Sequence, residues 1–269
     1  LVKAKMQKNP VAYPEPLTLE CNDSKGCRIT VSNSSDLEYS KDGGTTWKPY
    51  EGTIDLSNIG DKVSFRGTWS TRETGSSKRT NFSCVGICYI YGNILSLLSK
   101  EDYATMTELP YNETFQNLFK NDNNKTITHA DGKDLVLPAT VLRKNCYSEM
   151  FSGCTKLNYI KCLATDISAT NCTDGWLYWV ASEGTFVKAA AMREWTVGED
   201  GIPQGWQRVN DDGSADVYPT KYLTFISEGT TTVSLSNTYG NAPTVYYSYD
   251  LDTWYEWQSV QKYQQNLPC

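Results

Sequence analysis

A chain of 269 residues, 39% of them hydrophobic, is long enough for one large domain or two to three small ones. Its 25 Lys and Arg against 31 Asp and Glu leave a formal charge of −6, which argues against a general nucleic-acid binder, because phosphate contacts need clustered cations. No apolar run approaches the roughly 18 residues that span a bilayer, so no transmembrane segment is expected. Aromatic residues reach 12%, with 18 Tyr and 8 Trp among many Thr, Ser, Asn and Gly, a mixture that suits pleated strands and tight turns.

Residues 1–16 read as an extended arm, with prolines at 10, 14 and 16 and no apolar stretch that would make the basic start a secretory leader. From Leu17 to Leu98 the pattern is that of a β-sandwich-like module. Its strands are expected at Leu17–Glu20, Arg28–Ser32, Leu37–Ser40, Gly52–Leu56, Lys62–Gly67 and Ser83–Tyr91. Between the third and fourth lies Ser40-Lys-Asp-Gly-Gly-Thr-Thr-Trp47, whose Asp-Gly-Gly signals a tight hairpin. Residues 99–209 change character. Helices are expected at Tyr111–Phe119, Lys144–Phe151 and Asp174–Ala181, each followed by a turn and a short extended segment. An internal repeat is visible here: Leu137–Cys146 parallels Cys162–Cys172 with a period of about 26 residues, and Phe115–Phe119 corresponds to Tyr147–Phe151. One strand and one helix in such a length make a solenoid unit. The acidic stretch 210–216 reads as a linker. Residues 217–269 then begin the first module again, with Val245–Trp254 echoing Leu37–Trp47, as a partial second β-module to be completed by another chain or by the repeats.

The segments Asn145-Cys-Tyr-Ser-Glu-Met-Phe-Ser-Gly-Cys-Thr-Lys-Leu157 and Ile160-Lys-Cys-Leu-Ala-Thr-Asp-Ile-Ser-Ala169 resemble BspA-type leucine-rich repeats. Gly184–Lys188, Met192–Thr196 and Gly201–Trp206 are similar to the cap that ends such arrays, and Glu38–Trp47 looks like the β-module that often precedes them. The resemblance implies a mixed, β-dominated fold: an N-terminal β-sandwich-like module, a short α/β leucine-rich-repeat solenoid and a partial C-terminal β-module. It implies a non-enzymatic surface protein of gut bacteria or of their phages. Because the chain carries about one full repeat, one degenerate unit and one cap, a compact spacer or decoration suits it better than a long concave binding face.

Ser40, Asp42, Gly44 and Trp47 fit the Asp-box pattern of sialidase propellers, where the motif is a folded hairpin, and a structural hairpin is the expectation here as well. Cys146, Cys154, Cys162 and Cys172 occupy repeat-related positions and are expected to be small buried hydrophobes or local pairs. Cys21-x5-Cys27 with Cys84-x3-Cys88 is loosely spaced for a zinc ribbon, so two local disulfides, or one pair across neighbouring strands, are favoured in an oxidising compartment and no metal is expected. Nine cysteines also leave at least one unpaired within a chain. The single histidine, His129, lies in a polar stretch and is expected in solvent, so neither a catalytic residue nor a cofactor is assigned. The candidate binding residues are the aromatic clusters Trp176, Tyr178, Trp179 and Tyr247, Tyr249, Trp254, Trp257, which suit protein interfaces or sugar stacking. Together these readings point to an adhesive or structural protein, displayed on a virion or a bacterial cell surface, that contacts other protein subunits and host glycans. The alternative is a glycan-binding accessory module of a carbohydrate-active system.

Overall fold

The computed structural model describes residues 12–34, 36–68, 80–192, 195–214 and 216, together with the backbone of residues 231–232, 245–247, 255–257 and 266–267. The chain divides into two compact units, Leu1–Tyr218 and Pro219–Cys269. The first begins with β1 (Leu17–Cys21), β2 (Cys27–Ser32), β3 (Leu37–Ser40), β4 (Lys48–Pro49), β5 (Ile54–Leu56), β6 (Lys62–Gly67), β7 (Asn81–Val85) and β8 (Cys88–Asn93). In β2 the side chains alternate between buried and open positions, which places Cys27, Ile29 and Val31 on the core face.

These strands form two layers. β8, β1, β6, β3 and β4 are hydrogen-bonded antiparallel neighbours in one sheet, and β5, β2 and β7 make the other. Phe65 of the first meets Phe82 of the second edge to face at 5.1 Å. The single strand expected over Ser83–Tyr91 is two strands in different sheets. The chain crosses between layers at Gly86, whose φ of +102° lies in the left-handed region.

The larger sheet does not stop at β8. Its other edge pairs in parallel with β10 (Leu135–Leu137), followed by β11 (Tyr159–Cys162), β12 (Gly184–Lys188) and β13 (Trp206–Asn210), also in parallel register, to give ten strands in all with β9 (Ile127–Thr128) beside β8. Leu137 sits opposite Cys162, so the internal repeat of the sequence is the register of this ladder. One hydrophobic cluster runs without interruption from Leu17 to Trp206. The described end of the N-terminal arm lies along β8, where the Asn93 amide donates to Glu15 and the Asn93 side chain donates to the carbonyls of Tyr13 and Tyr103. Gly92 permits this approach: a Cβ there would stand 2.1 Å from the Pro16 carbonyl oxygen.

The α/β leucine-rich-repeat solenoid is overturned. Among the described residues there is no α-helix, only the 3-10 turns Ile94–Leu97 and Asp122–Thr126. The segments expected to be helical are runs of tight turns instead. In Tyr147–Gly153 the amides alternate between two kinds of acceptor. Those of Ser148, Met150 and Ser152 donate three residues back within the coil. Those of Tyr147, Glu149, Phe151 and Gly153 donate to Cys172, Asp174, Trp176 and Tyr178 of the next coil. The same alternation joins residues 113–119 to 144–150. Every fourth residue is left-handed: Glu113 and Asn117, then Asn145, Glu149 and Gly153, then Asn171, Gly175 and Trp179. A helix would close every donor four residues back inside its own segment, so these turns are a second inter-coil ladder. Aromatic rings stack along it in two columns, Phe82, Phe119 and Phe151, and Phe115, Tyr147, Trp176 and Trp195.

The acidic stretch read as a linker is tied down where it is described. The Asp211 amide donates to the Lys188 carbonyl, and Asp216 pairs at 2.9 Å with Lys188, a buried ammonium that also donates to Met192 O and Asn210 Oδ1. In the second unit, β14 (Thr231–Thr232) pairs antiparallel with β17 (Asn266–Leu267), and β15 (Val245–Tyr247) with β16 (Tyr255–Trp257). Among the described residues, no helix is long and apolar enough to cross a membrane.

Candidate functional site

The turn ladder ends in an aromatic pair on the surface. Tyr178 and Trp179 follow the left-handed Gly175 in the third coil, and the Tyr178 carbonyl is held by the Gly153 amide of the coil before it at 2.8 Å. Their rings stack at 4.5 Å and 29°. Trp179 is 68% exposed and has φ +57°, where the sequence places Gly153 at the corresponding position one coil earlier. A bulky residue is rarely left-handed, and such outliers collect where function holds them in place. The pair is therefore an aromatic platform whose outer ring, Trp179, faces outward, of a kind that receives the face of a sugar ring or a partner's side chain.

The other aromatic candidates are distributed differently. Trp176, two residues from the platform, is fully buried: its ring is stacked between Tyr147 and Trp195, and its Nε1 donates to the Gly201 carbonyl. It presents no face to a ligand, which corrects its place among the binding candidates. Tyr247 and Trp257 lie in the β15–β16 hairpin, where Val245 is in register with Trp257 and Tyr247 with Tyr255. Tyr249 and Trp254 lie outside the described residues.

The Ser40–Trp47 segment is a hairpin that holds itself together. Asp42 accepts from the Thr46 amide at 2.9 Å, the Thr46 hydroxyl at 2.6 Å and Ser40 Oγ at 2.7 Å, while Ser40 Oγ accepts from the Gly44 amide. The bonds from Thr46, and then that from Ser40, hold the Asp42 carboxyl well below the usual carboxylate range. Trp47 Nε1 donates to the Gly44 carbonyl, and the Arg66 guanidinium lies over the Trp47 ring at 4.3 Å. Arg66 and Lys100 both donate to Glu38, at 2.7 and 2.6 Å, and these contacts lower its pKa. Every polar group of the motif is spent on the fold.

Cys146, Cys154, Cys162 and Cys172 are free thiols buried along the coils. Burial pushes Cys146 and Cys162 up to about 12 and raises Cys154 and Cys172 as well, so the thiols stay protonated and inert. His129 is not in open solvent. Its ring stacks on Tyr159 at 4.1 Å and 14°, and burial lowers its pKa against the opposing pull of Asp134 and Asp131.

A second cysteine group lies at one end of the sandwich. Cys84 and Cys88 are disulfide-bonded, and the sulfurs of Cys27, Cys84 and Cys88 lie within 4.8 Å of one another, all three residues buried. Cys21 is buried too. It stands opposite Cys88 in the β1–β8 register, outside that triad of sulfurs. Burial, with Cys21 adding, pushes the Cys27 thiol up to about 12. The spacing in sequence did not reveal this meeting, because the two cysteine pairs come from separate crossings between the layers. A shallow cleft of about 310 Å³ is lined by Thr30, Ser32, Tyr50, Asn81 and Ser83, which include no titratable pair suited to acid–base chemistry. No family model, curated protein or solved structure matches the chain.

Proposed function

We propose that the chain is a non-enzymatic structural and adhesive protein of a virion or a bacterial cell surface, and that it makes contact with a glycan or protein partner through the Tyr178–Trp179 platform. The observation that carries this reading is an exposed Trp179 ring stacked on the half-buried Tyr178, in a left-handed turn of a hydrogen-bonded ladder. A platform of that kind loses less side-chain entropy on binding than a free side chain, since its two rings already stack on each other. The resemblance of residues 145–169 to BspA-type repeats supports the same role. The polar groups of the Asp-box-like hairpin are taken up internally, and the single histidine is stacked on a tyrosine, features that suit scaffolding better than turnover.

The test is binding of the full chain to a glycan array and to surface extracts of host bacteria, alongside the Trp179→Ala variant. Expected is a partner whose binding weakens more than tenfold in the variant while the melting temperature is unchanged. Failure of the intact chain to bind any glycan or surface protein, or equal binding by the variant, overturns the reading.

A further inference from the structure

Of the crossings between the two layers that meet at one end of the sandwich, two are flanked by cysteines. The first, Asn22–Gly26, leaves Cys21 at the end of β1 in the large sheet and Cys27 at the start of β2 in the small one. The second, Gly86–Ile87, leaves Cys84 in β7 of the small sheet and Cys88 at the start of β8 in the large one. The crossings are locked to each other. The Asn22 amide donates to the Ile87 carbonyl at 2.8 Å, Cys27 Sγ donates to the same carbonyl at 3.1 Å, and the Asp23 carboxylate accepts from the amides of Lys25 and Ile87 at 2.9 and 3.3 Å. Gly86 brings them this close: a Cβ there would lie 2.8 Å from the Gly26 carbonyl oxygen and 3.0 Å from Cys27 Sγ.

We propose that Cys21, Cys27, Cys84 and Cys88 form a redox-gated tetrathiolate site for one zinc ion, closed to metal while Cys84 and Cys88 are disulfide-bonded and able to bind once a thiol reductant opens that bond. Tetrahedral zinc with Zn–S bonds of about 2.3 Å sets its sulfurs roughly 3.8 Å apart, inside the 4.8 Å that spans the sulfurs of Cys27, Cys84 and Cys88. Cys21, directly opposite Cys88 in the β1–β8 register, supplies the fourth ligand of the proposal from outside that triad. An all-thiolate, four-coordinate set of buried ligands is the chemistry of a structural zinc rather than of a hard cation. The steps balance. Two monothiols deliver two electrons and two protons to the Cys84–Cys88 bond and leave as their own disulfide. Zn2+ then displaces one proton from each of four thiols and forms four Zn–S bonds. The consequence is structural: in the reduced chain one ion joins both sheets, where in the oxidised chain a disulfide joins β7 to β8.

The experiment uses the full chain, reduced with a phosphine and then freed of it, with Zn2+ as the probe and metal content as the readout. Expected is one zinc per reduced chain, release of four protons on binding, and no zinc retained by the oxidised chain. Co2+ in place of zinc should show the absorption of tetrahedral thiolate coordination. Cys27→Ser and Cys88→Ser should each weaken binding by at least about a hundredfold, because loss of even an outer partner costs about 10–100-fold. Cys154→Ser, in the turn ladder, should bind as the parent does. Alkylation of the reduced parent chain, mapped by mass spectrometry, needs no variant and should show zinc slowing modification of these four thiols. A reduced chain that takes up no zinc, alkylation rates unmoved by zinc, or undiminished binding by a folded Cys27→Ser variant each overturns the proposal.

Discussion

Asp42 shows how much one exposed carboxylate can organise. It accepts three hydrogen bonds within the hairpin segment Ser40–Thr46, and its pKa is lowered by the Thr46 hydroxyl and amide first and by Ser40 next. A carboxyl whose folded pKa lies below its unfolded value contributes stability above the unfolded value, about 3.9, and loses that contribution as the pH falls towards the folded one. The parent chain should therefore lose melting temperature on acidification below about pH 4, and Asp42→Asn should lose less over the same interval, starting from a slightly lower melting temperature at neutral pH. Identical pH profiles for the two proteins would remove Asp42 from the account. Lys188 is the opposite case, a buried ammonium whose three acceptors are Met192 O, Asn210 Oδ1 and Asp216 Oδ1. It fixes the end of the coil stack to the acidic stretch that follows.

Among the elements, the turn ladder draws its stability from ring columns and inter-coil backbone bonds. Phe151 is fully buried and stacks on Phe119 at 5.3 Å and 4°. Phe151→Ala should destabilise the chain by about 3–5 kcal/mol, the usual cost of removing a buried aromatic ring, as measured by denaturant titration. A loss below about 1 kcal/mol would show that the column is not a packing element. The β-dominated character of this architecture was legible in the sequence. The strand expected over Arg28–Ser32 is β2 but for its first residue, and the repeat that aligned Leu137 with Cys162 turns out to be the register of β10 with β11. The turns were not legible as turns, because apolar residues four apart, such as Phe115 and Phe119 or Tyr147 and Phe151, satisfy a helix of 3.6 residues per turn as readily as a four-residue turn repeat. The discriminating signal was the Asn and Gly recurring at the same interval, Asn145 and Gly153, Asn171 and Gly175, the residue types that most readily accept a left-handed backbone. Glu113, Glu149 and Trp179 depart from that pattern, and of the three Trp179 is the exposed aromatic. The cysteine group stayed hidden for another reason. Spacing along the chain records local pairs, and this cluster exists only because two crossings meet.

At the scale of the whole first unit, the antiparallel layer and the parallel coils are one sheet around one core, joined where β8 pairs with β1 on one side and β10 on the other. A chain ended after Tyr218 should therefore unfold in a single transition, with amides of β1 and of β11 exchanging at the same global free energy. Two resolved transitions would contradict that continuity. The ladder also has a direction. Its inter-strand bonds run along the stack, from coil to coil, while the strands lie across it. Tension applied along the stack loads these bonds end on and opens them one coil at a time. Tension applied along the strands loads every bond of a rung in shear together, which resists far more. A tether that engages Trp179 is thus strong or weak according to the angle at which it pulls.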